Sequence, residues 1–316
     1  MTTKVLVIGG GQNAEHEVSL ASAAAVAAAL RMGDHEVTSV TIDREGMWRA
    51  DGLPNGGTVA DSLAQALPLL ARTDVVFPAV HGALGEDGAL AALCALAGVR
   101  VVGSALRAGA IGMDKWATKL VADAVGLGTA RGRLIAADDI GDVEFEGDVV
   151  VKPVSAGSSH GVSLVTEEDR LLDALREAAR FDRRILVEEV VRGREIDVAV
   201  LREKGGIRWA APPLEIHTAG LFDTATKYDG SARFTVPAQL TAAENTALKR
   251  AAIALFDALG CDGVARMDFF LTDRGPVLNE VNTMPGLTAA SQVPRMFAAA
   301  GVDYVDLVGR LVRAAV

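Results

Sequence analysis

Through its first hundred residues the chain repeats one pattern, a short aliphatic run followed by a longer stretch with helical spacing. Residues 5–8, 35–42, 74–80 and 99–102 read as strands, and 17–30, 59–70 and 89–97 as helices. Strands that alternate with helices are joined by crossovers, so they line up in a parallel sheet with helices over its faces. This α/β pattern stops near Gly103. Beyond it, 114–125 reads as a helix and 148–152 as a strand closed by Pro153. A loop at 155–161, a strand at 162–165, a helix at 167–180 and a strand at 184–189 complete a smaller α+β unit. Strands are expected again at 197–202 and 207–216, followed by an aperiodic stretch at 218–233. So long a loop in a compact domain is expected to be a lid. A strong helix at 242–259, strands at 264–271 and 277–281, and two short closing helices end the chain. The expectation is three lobes, at 1–103, 104–191 and 192–316.

Charge narrows the function classes. Among 316 residues, 41 acids stand against 31 lysines and arginines, a formal net charge of -10. Nonspecific nucleic-acid binding needs the opposite balance. Two cysteines, Cys94 and Cys261, are too few for a disulfide framework. The Ala-rich stretch at 21–30 is too short and too weakly hydrophobic to span a bilayer, and the N-terminus carries no cleavage-site pattern. The expectation is a cytoplasmic protein with small-molecule partners, no nucleic acid and no membrane.

Gly9, Gly11 and Ala14 fit the spacing of a dinucleotide fingerprint after a strand, and Asp43 ends the next strand where a ribose-binding acid could sit. A nicotinamide-dependent oxidoreductase is therefore one reading, and a plain tight turn is another. The neighbours favour a third. Glu15 would be repelled by a pyrophosphate and suits an ammonium ligand such as a free amino acid, while Glu17 reads equally well as an ordinary first-turn acid.

Three lysines stand at the ends of separate elements. Lys115, Lys152 and Lys227 could together neutralise a nucleoside triphosphate. Lys152 ends an apolar strand, a costly place for a charge without a partner. The loop 157–161 follows, and its backbone N–H groups with the Ser158 and Ser159 hydroxyls can wrap phosphate oxygens, although it lacks the Walker lysine pattern. Glu188 and Glu195 read either as a solvated strand edge or as nucleoside contacts, Glu188 at the adenine and Glu195 at the ribose.

The most informative stretch lies near the C-terminus. Strand alternation puts Arg266 and Asp268 on one face, and Glu280 and Asn282 on one face of the next strand. If these strands pair as a hairpin, Asp268, Glu280 and Asn282 converge as oxygen donors for Mg²⁺, with water and phosphate completing the shell; Glu280 could bridge two ions. The tight turn after Met284 leaves the Gly286 N–H to face an oxyanion.

Gly9-Gly10, Glu15-His16-Glu17-Val18-Ser19, His81-Gly82-Ala83-Leu84-Gly85-Glu86-Asp87-Gly88, Met113-Asp114-Lys115, Val151-Lys152-Pro153, Gly157-Ser158-Ser159, Lys227-Tyr228, Arg266-Met267-Asp268, Glu280-Val281-Asn282-Thr283 and Pro285-Gly286, in this order, resemble D-alanine–D-alanine ligases of the ATP-grasp superfamily over nearly the whole chain. The resemblance implies ATP held between the central and C-terminal lobes and peptidoglycan-precursor synthesis through a D-alanyl-phosphate. It implies Mg²⁺ as the metal, two ions, with Mn²⁺ as the alternative, and a homodimer. It assigns the first D-alanine's ammonium to Glu15, in a hydrogen-bonded trio with Ser158 and Tyr228, and the first carboxylate to His81. ATP phosphates fall to Lys115, Lys152 and Lys227, with Ser159 in the same loop, and the nucleoside to Glu188, Val191 and Glu195. Asp268, Glu280 and Asn282 become the metal ligands, Arg266 and the Gly286 N–H the oxyanion donors, and Ser291 the anchor of the second carboxylate. The chain departs from the family pattern at Gly11-Gln12-Asn13, at Ala290 and at Gln292, where an aliphatic residue often touches the second substrate. Gln292 leaves D-serine, D-lactate or another amino acid as alternative second substrates.

Overall fold

The computed structural model describes residues 2–54, 56–217 and 233–316. The first lobe is a sheet of five strands, β1 (Lys4–Gly10), β2 (Glu36–Ile42), β3 (Trp48–Arg49), β4 (Val75–Pro78) and β5 (Arg100–Val101), in the order β3-β2-β1-β4-β5. Its three pairings apart from that of β3 are parallel, as the alternation requires; β3 is a two-residue antiparallel edge on β2. Helices α1 (His16–Met32), α2 (Val59–Ala71) and α3 (Ala89–Leu96) make the crossovers. Gly9 is what lets α1 lie so close to β1: a Cβ there would sit 2.4 Å from the Ala23 Cβ. The turn that follows carries positive φ at Gly10 and Gly11, which glycine adopts without a Cβ penalty.

The second sheet is wholly antiparallel. It comprises β7 (Gly132–Ala136), β8 (Val149–Pro153), β9 (Ser163–Val165) and β10 (Arg184–Glu189), in the order β7-β10-β8-β9. Helix α6 (Glu168–Ala179) covers one face, burying Leu171 and Leu175 against Val151, Ile185 and Val187. That core is self-contained.

The third sheet holds β6 (Gly128–Thr129), β11 (Arg194–Arg202), β12 (Arg208–Ala210), β13 (Leu214–His217), β14 (Arg233–Thr235), β15 (Val264–Thr272) and β16 (Gly275–Asn282), with β12 beside β11 off the main order β14-β13-β11-β15-β16-β6. The single strand expected over 207–216 is two strands, because Pro212 and Pro213 have no N–H for a ladder. Helix α7 (Ala242–Leu259) opens on a Thr241–Glu244 capping box and closes on a left-handed Gly260. It packs Leu248, Leu255 and Phe256 against Met267, Phe269 and Leu278. Helices α4 (Leu106–Met113) and α5 (Lys115–Ala124) contribute Ala108 and Ala122 to this same core. The segment preceding β7, assigned to the central lobe from sequence, thus packs on the third sheet.

The closing helices α8 (Gln292–Ala299) and α9 (Tyr304–Ala315) return to the first lobe. Met296, Phe297, Leu307 and Leu311 share one core with Val5, Val7, Val26 and Phe77. No helix among the described residues is long and apolar enough to cross a membrane. The expected lid at 218–233, with Lys227 and Tyr228, lies outside the described residues except for Arg233, which starts β14.

Candidate functional site

The second and third sheets face each other across a cleft of about 460 Å³. Val150, Leu164, Val191, Ile216, Phe270 and Leu278 give part of its wall an apolar surface, while Lys115, Lys152, Glu188, Glu195, Asp268 and Glu280 line the rest. A flat apolar ring and a polyanion could lie end to end in such a cleft.

The cationic part is built around a buried carboxylate. Glu188 on β10 accepts from Lys119 at 2.6 Å and Lys152 at 2.7 Å. All three side chains are nearly inaccessible. Burial favours the neutral acid, but Lys152 and Lys119 outweigh it and hold the Glu188 carboxyl below its ordinary range. Lys119 is pushed down, first by burial, against the pull of Glu188. Both Glu188 oxygens are therefore engaged by lysines, and its burial excludes the solvated strand edge that the sequence left open, while the residue still lines the cleft where the other reading puts an adenine. Lys152 also donates to the Asn279 side chain at 3.2 Å. Lys115 donates to the Ala156 carbonyl at 2.7 Å and lies 3.5 Å from Glu280. The start of α5 is thereby tied to the loop 157–161 and to the hairpin. Lys119 was missed as a site residue from sequence, though its position one turn beyond Lys115 on the same helix face was a usable signal.

In the loop, Ser158 and Ser159 are both left-handed, at φ 49 and 58. Each such non-glycine residue costs about 1–3 kcal/mol and persists only where its surroundings enforce it. Part of the enforcement comes from the first lobe, where the Ser158 hydroxyl donates to Glu15 at 2.5 Å. Glu15 lies between Gly82 and Gly157; a Cβ on either would come within 2.7 Å of its Oε2. Asn13 fixes this corner by donating to the His81 and Ala83 carbonyls and accepting from the Glu15 N–H.

β15 and β16 pair as the sequence predicts, placing Arg266 opposite Asn282 and Asp268 opposite Glu280. Arg266 forks onto Asp268 with two bonds of 2.7 Å, and the Asn282 amide donates to Asp268 at 3.0 Å. Asp197 on β11 lies 3.4 Å from the Arg266 Nε. Burial works against the guanidinium charge, but Asp268 and Asp197 outweigh it and raise its pKa above that of a free arginine. Two carboxylates and an amide suit a hard cation that keeps water and phosphate among its ligands. The described residues hold no group of three His, Cys, Asp or Glu side chains that would make a closed protein cage.

Beyond the hairpin the turn 283–287 is pinned to the first lobe. The His81 Nδ1 must donate to the Met284 carbonyl at 2.8 Å, so in the neutral ring Nε2 accepts from Ser22, also at 2.8 Å. His81 is buried, and burial lowers its pKa. Expected beside a substrate carboxylate, it has both ring nitrogens engaged and latches two lobes together. The Ser291 hydroxyl meets the Thr288 N–H and hydroxyl, and a Cβ on Gly286 would lie 3.3 Å from it. Gln292 accepts from the Arg266 Nη1 at 2.6 Å; its Nε2 is buried without a partner among the described residues. Glu86 was also missed. It accepts from the Met284 N–H at 3.2 Å and the Gly82 N–H at 3.3 Å. The ribose acid of the oxidoreductase reading, Asp43, is instead committed to the Met47 N–H and Arg49.

A parallel α/β lobe, an antiparallel α+β lobe and a third lobe that meets it across a cation-lined cleft define an ATP-grasp protein. The family models for the N-terminus and the C-terminus of D-ala D-ala ligases match residues 4–104 and 143–313. Curated relatives include a D-alanine–D-alanine ligase of Mycolicibacterium vanbaalenii, 39% identical, with 99% of this chain and 97% of that one covered. One from Mycolicibacterium smegmatis is 38% identical over 99% and 95%. Among solved structures, the VanG D-Ala:D-Ser ligase of Enterococcus faecalis superposes with a TM-score of 0.82 at 29% identity, covering 100% of both chains. The D-alanine–D-alanine ligase of Coxiella burnetii gives 0.80 at 29%, covering 99% and 94%. The chain belongs to the D-alanine–D-alanine ligase family.

Proposed function

We propose that this chain joins two D-alanines into D-alanyl-D-alanine at the expense of ATP, supplying a peptidoglycan precursor in the cytoplasm, as a homodimer. The observation that carries the reading is the Glu15–Ser158 bond. It ties an acid suited to an amino acid's ammonium to the loop beside the buried lysines, so an amino acid and a triphosphate would meet there.

In this reading Glu15 holds the first D-alanine's ammonium and aims its carboxylate at the γ-phosphate. Lys115 and Lys152, with Lys227, neutralise the phosphate oxygens, and Ser159 adds a hydrogen bond. Val191 and Glu195 hold the nucleoside. Asp268, Glu280 and Asn282 hold the divalent metal, Mg²⁺ or Mn²⁺ and two ions in number, which when bound supplies charge neutralisation at the phosphates. The first carboxylate attacks phosphorus, ADP departs, and an acyl-phosphate forms. The second substrate's amine attacks that carbonyl while Arg266 and the Gly286 N–H stabilise the oxyanion, and phosphate leaves. Ser291 anchors the second carboxylate.

The test is phosphate release from ATP with D-alanine alone and in pairs with D-serine or D-lactate, products resolved by mass. D-alanyl-D-alanine as the main product is expected; predominant D-alanyl-D-lactate near neutral pH would refute the dipeptide assignment. A mixed ligase is the second reading, because the unpartnered Gln292 Nε2 could satisfy a hydroxyl on the second substrate. Any D-serine product is therefore expected to fall about tenfold in Gln292→Leu while D-alanine product is kept. An unchanged product ratio would remove Gln292 from the second site. For the metal, Glu280→Gln is expected to keep the fold and lose most activity, about a hundredfold or more. Unchanged metal dependence in that variant would exclude Glu280 as a ligand.

A further inference from the structure

One acid at the seam between lobes has no task in this mechanism. Glu86 sits in the loop between β4 and α3, and its carboxylate bridges two backbone N–H groups from opposite sides of the seam, Gly82 in the first lobe and Met284 in the turn leading to Gly286. The loop is held there by the Thr283 hydroxyl, which donates to the Glu86 carbonyl at 3.1 Å. Two charged groups act on the carboxylate, Glu15 from the start of α1 and Arg266 from β15. It therefore feels both the group proposed for the first ammonium and the group proposed for the oxyanion, and the Gly82 it holds stands against Glu15, since a Cβ there would come within 2.7 Å of the Glu15 Oε2. Among the described residues no lysine, arginine or histidine is ion-paired with it, although part of its surface stays accessible.

The other acids of this region are committed. Glu15 accepts from Ser158, Asp268 carries the Arg266 fork, and Glu188 is clamped by two lysines. The His81 ring is turned to Met284 and Ser22. Yet an amino acid arrives as an ammonium, which has no lone pair for the carbonyl.

We propose that Glu86 takes one proton from the second substrate's ammonium and so generates the attacking amine. The step balances: the N–H bond breaks toward a Glu86 oxygen, its electron pair stays on nitrogen and forms the C–N bond, and the C–O bond to phosphate breaks as phosphate leaves. The second nitrogen proton is lost to solvent or phosphate afterwards. The inference rests on the ligase reading above.

Burial, and after it Glu15, raises the Glu86 carboxyl to about 7. A base works only when ionised, so amine capture should rise as pH increases through about 7. The test uses hydroxylamine, which is uncharged near neutral pH and needs no base, to trap the acyl-phosphate as a hydroxamate. In Glu86→Gln, dipeptide formation is expected to fall by about 10²–10³-fold, with hydroxamate formation within about threefold of the wild type. The acidic limb near pH 7 should vanish from the variant's dipeptide profile, and Glu86→Asp should recover part of the rate. Equal losses in both reactions would mean a structural role and overturn the proposal, as would undiminished dipeptide formation. Failure of the wild-type protein to make any hydroxamate from D-alanine and ATP would instead sink the ligase reading beneath it.

Discussion

Glu188→Ala is expected to cost about 3–5 kcal/mol of folding stability, the scale for removing one partner from a buried ion cluster. The variant leaves Lys119 and Lys152 facing each other at 5% and 4% exposure with no carboxylate between them. Deprotonation of one lysine offers local relief, and it would remove a charge from the cluster proposed to meet phosphate. Nucleotide affinity should therefore fall along with stability. Urea unfolding measures the first and calorimetric titration with ATP the second. Adding Lys119→Met should restore part of the stability, because one unpaired charge is gone. The pH dependence has a definite sign. A carboxyl whose folded pKa lies below the ordinary 4.5 stabilises the fold above that value, and the contribution disappears as pH falls through the depressed pKa. A Glu188→Ala protein as stable as the wild type would show that the cluster is no part of the folding balance.

With Arg266 as the oxyanion donor proposed above, Arg266→Lys is expected to reduce kcat by about 10²–10³-fold, the usual consequence of losing one such donor. Lysine keeps the charge between Asp197 and Asp268, so the protein should still fold. It cannot reproduce the two-pronged contact with Asp268 while also reaching Gln292. KM for ATP should move much less than kcat, since the phosphate-side lysines are untouched. A loss confined to KM, with kcat preserved, would take Arg266 out of the chemical step.

The parallel first lobe was legible because crossover helices and buried strands leave a periodic trace, and the hairpin because Arg266 with Asp268, and Glu280 with Asn282, put polar groups at alternate positions of two otherwise apolar strands. Less legible was α4. Its glycines lower helix propensity, yet Gly109 is required where a Cβ would come within 2.7 Å of the Gly88 N, and Gly112 where it would meet Thr283. Tertiary contact decides that helix. The short strands β3, β6 and β14 exist only through their neighbours in a sheet and carry no pattern of their own. In the site, the residue types announced the lysines and the hairpin. Sequence could not disclose that Glu188 faces inward onto Lys119, because burial of a charge depends on partners that arrive from another element. Glu86 was hidden for a similar reason: its environment is set by Met284, from the far end of the chain.

That joining of distant segments has a consequence for how the molecule comes to exist. The core beneath β1 and β4 is completed by Leu307, Leu311 and Val312 of α9, together with Met296 and Phe297 of α8. On a ribosome the first lobe emerges well before these side chains are made, so Val5, Val7 and Phe77 must wait with one face uncovered. Domains that fold as they emerge escape this interval; here the earliest lobe to appear is the one obliged to finish last. Stop codons or frameshifts near the C-terminus would therefore strip the N-terminal sheet of its cover and leave the antiparallel central lobe, whose core is its own, as the part best able to persist in the truncated product.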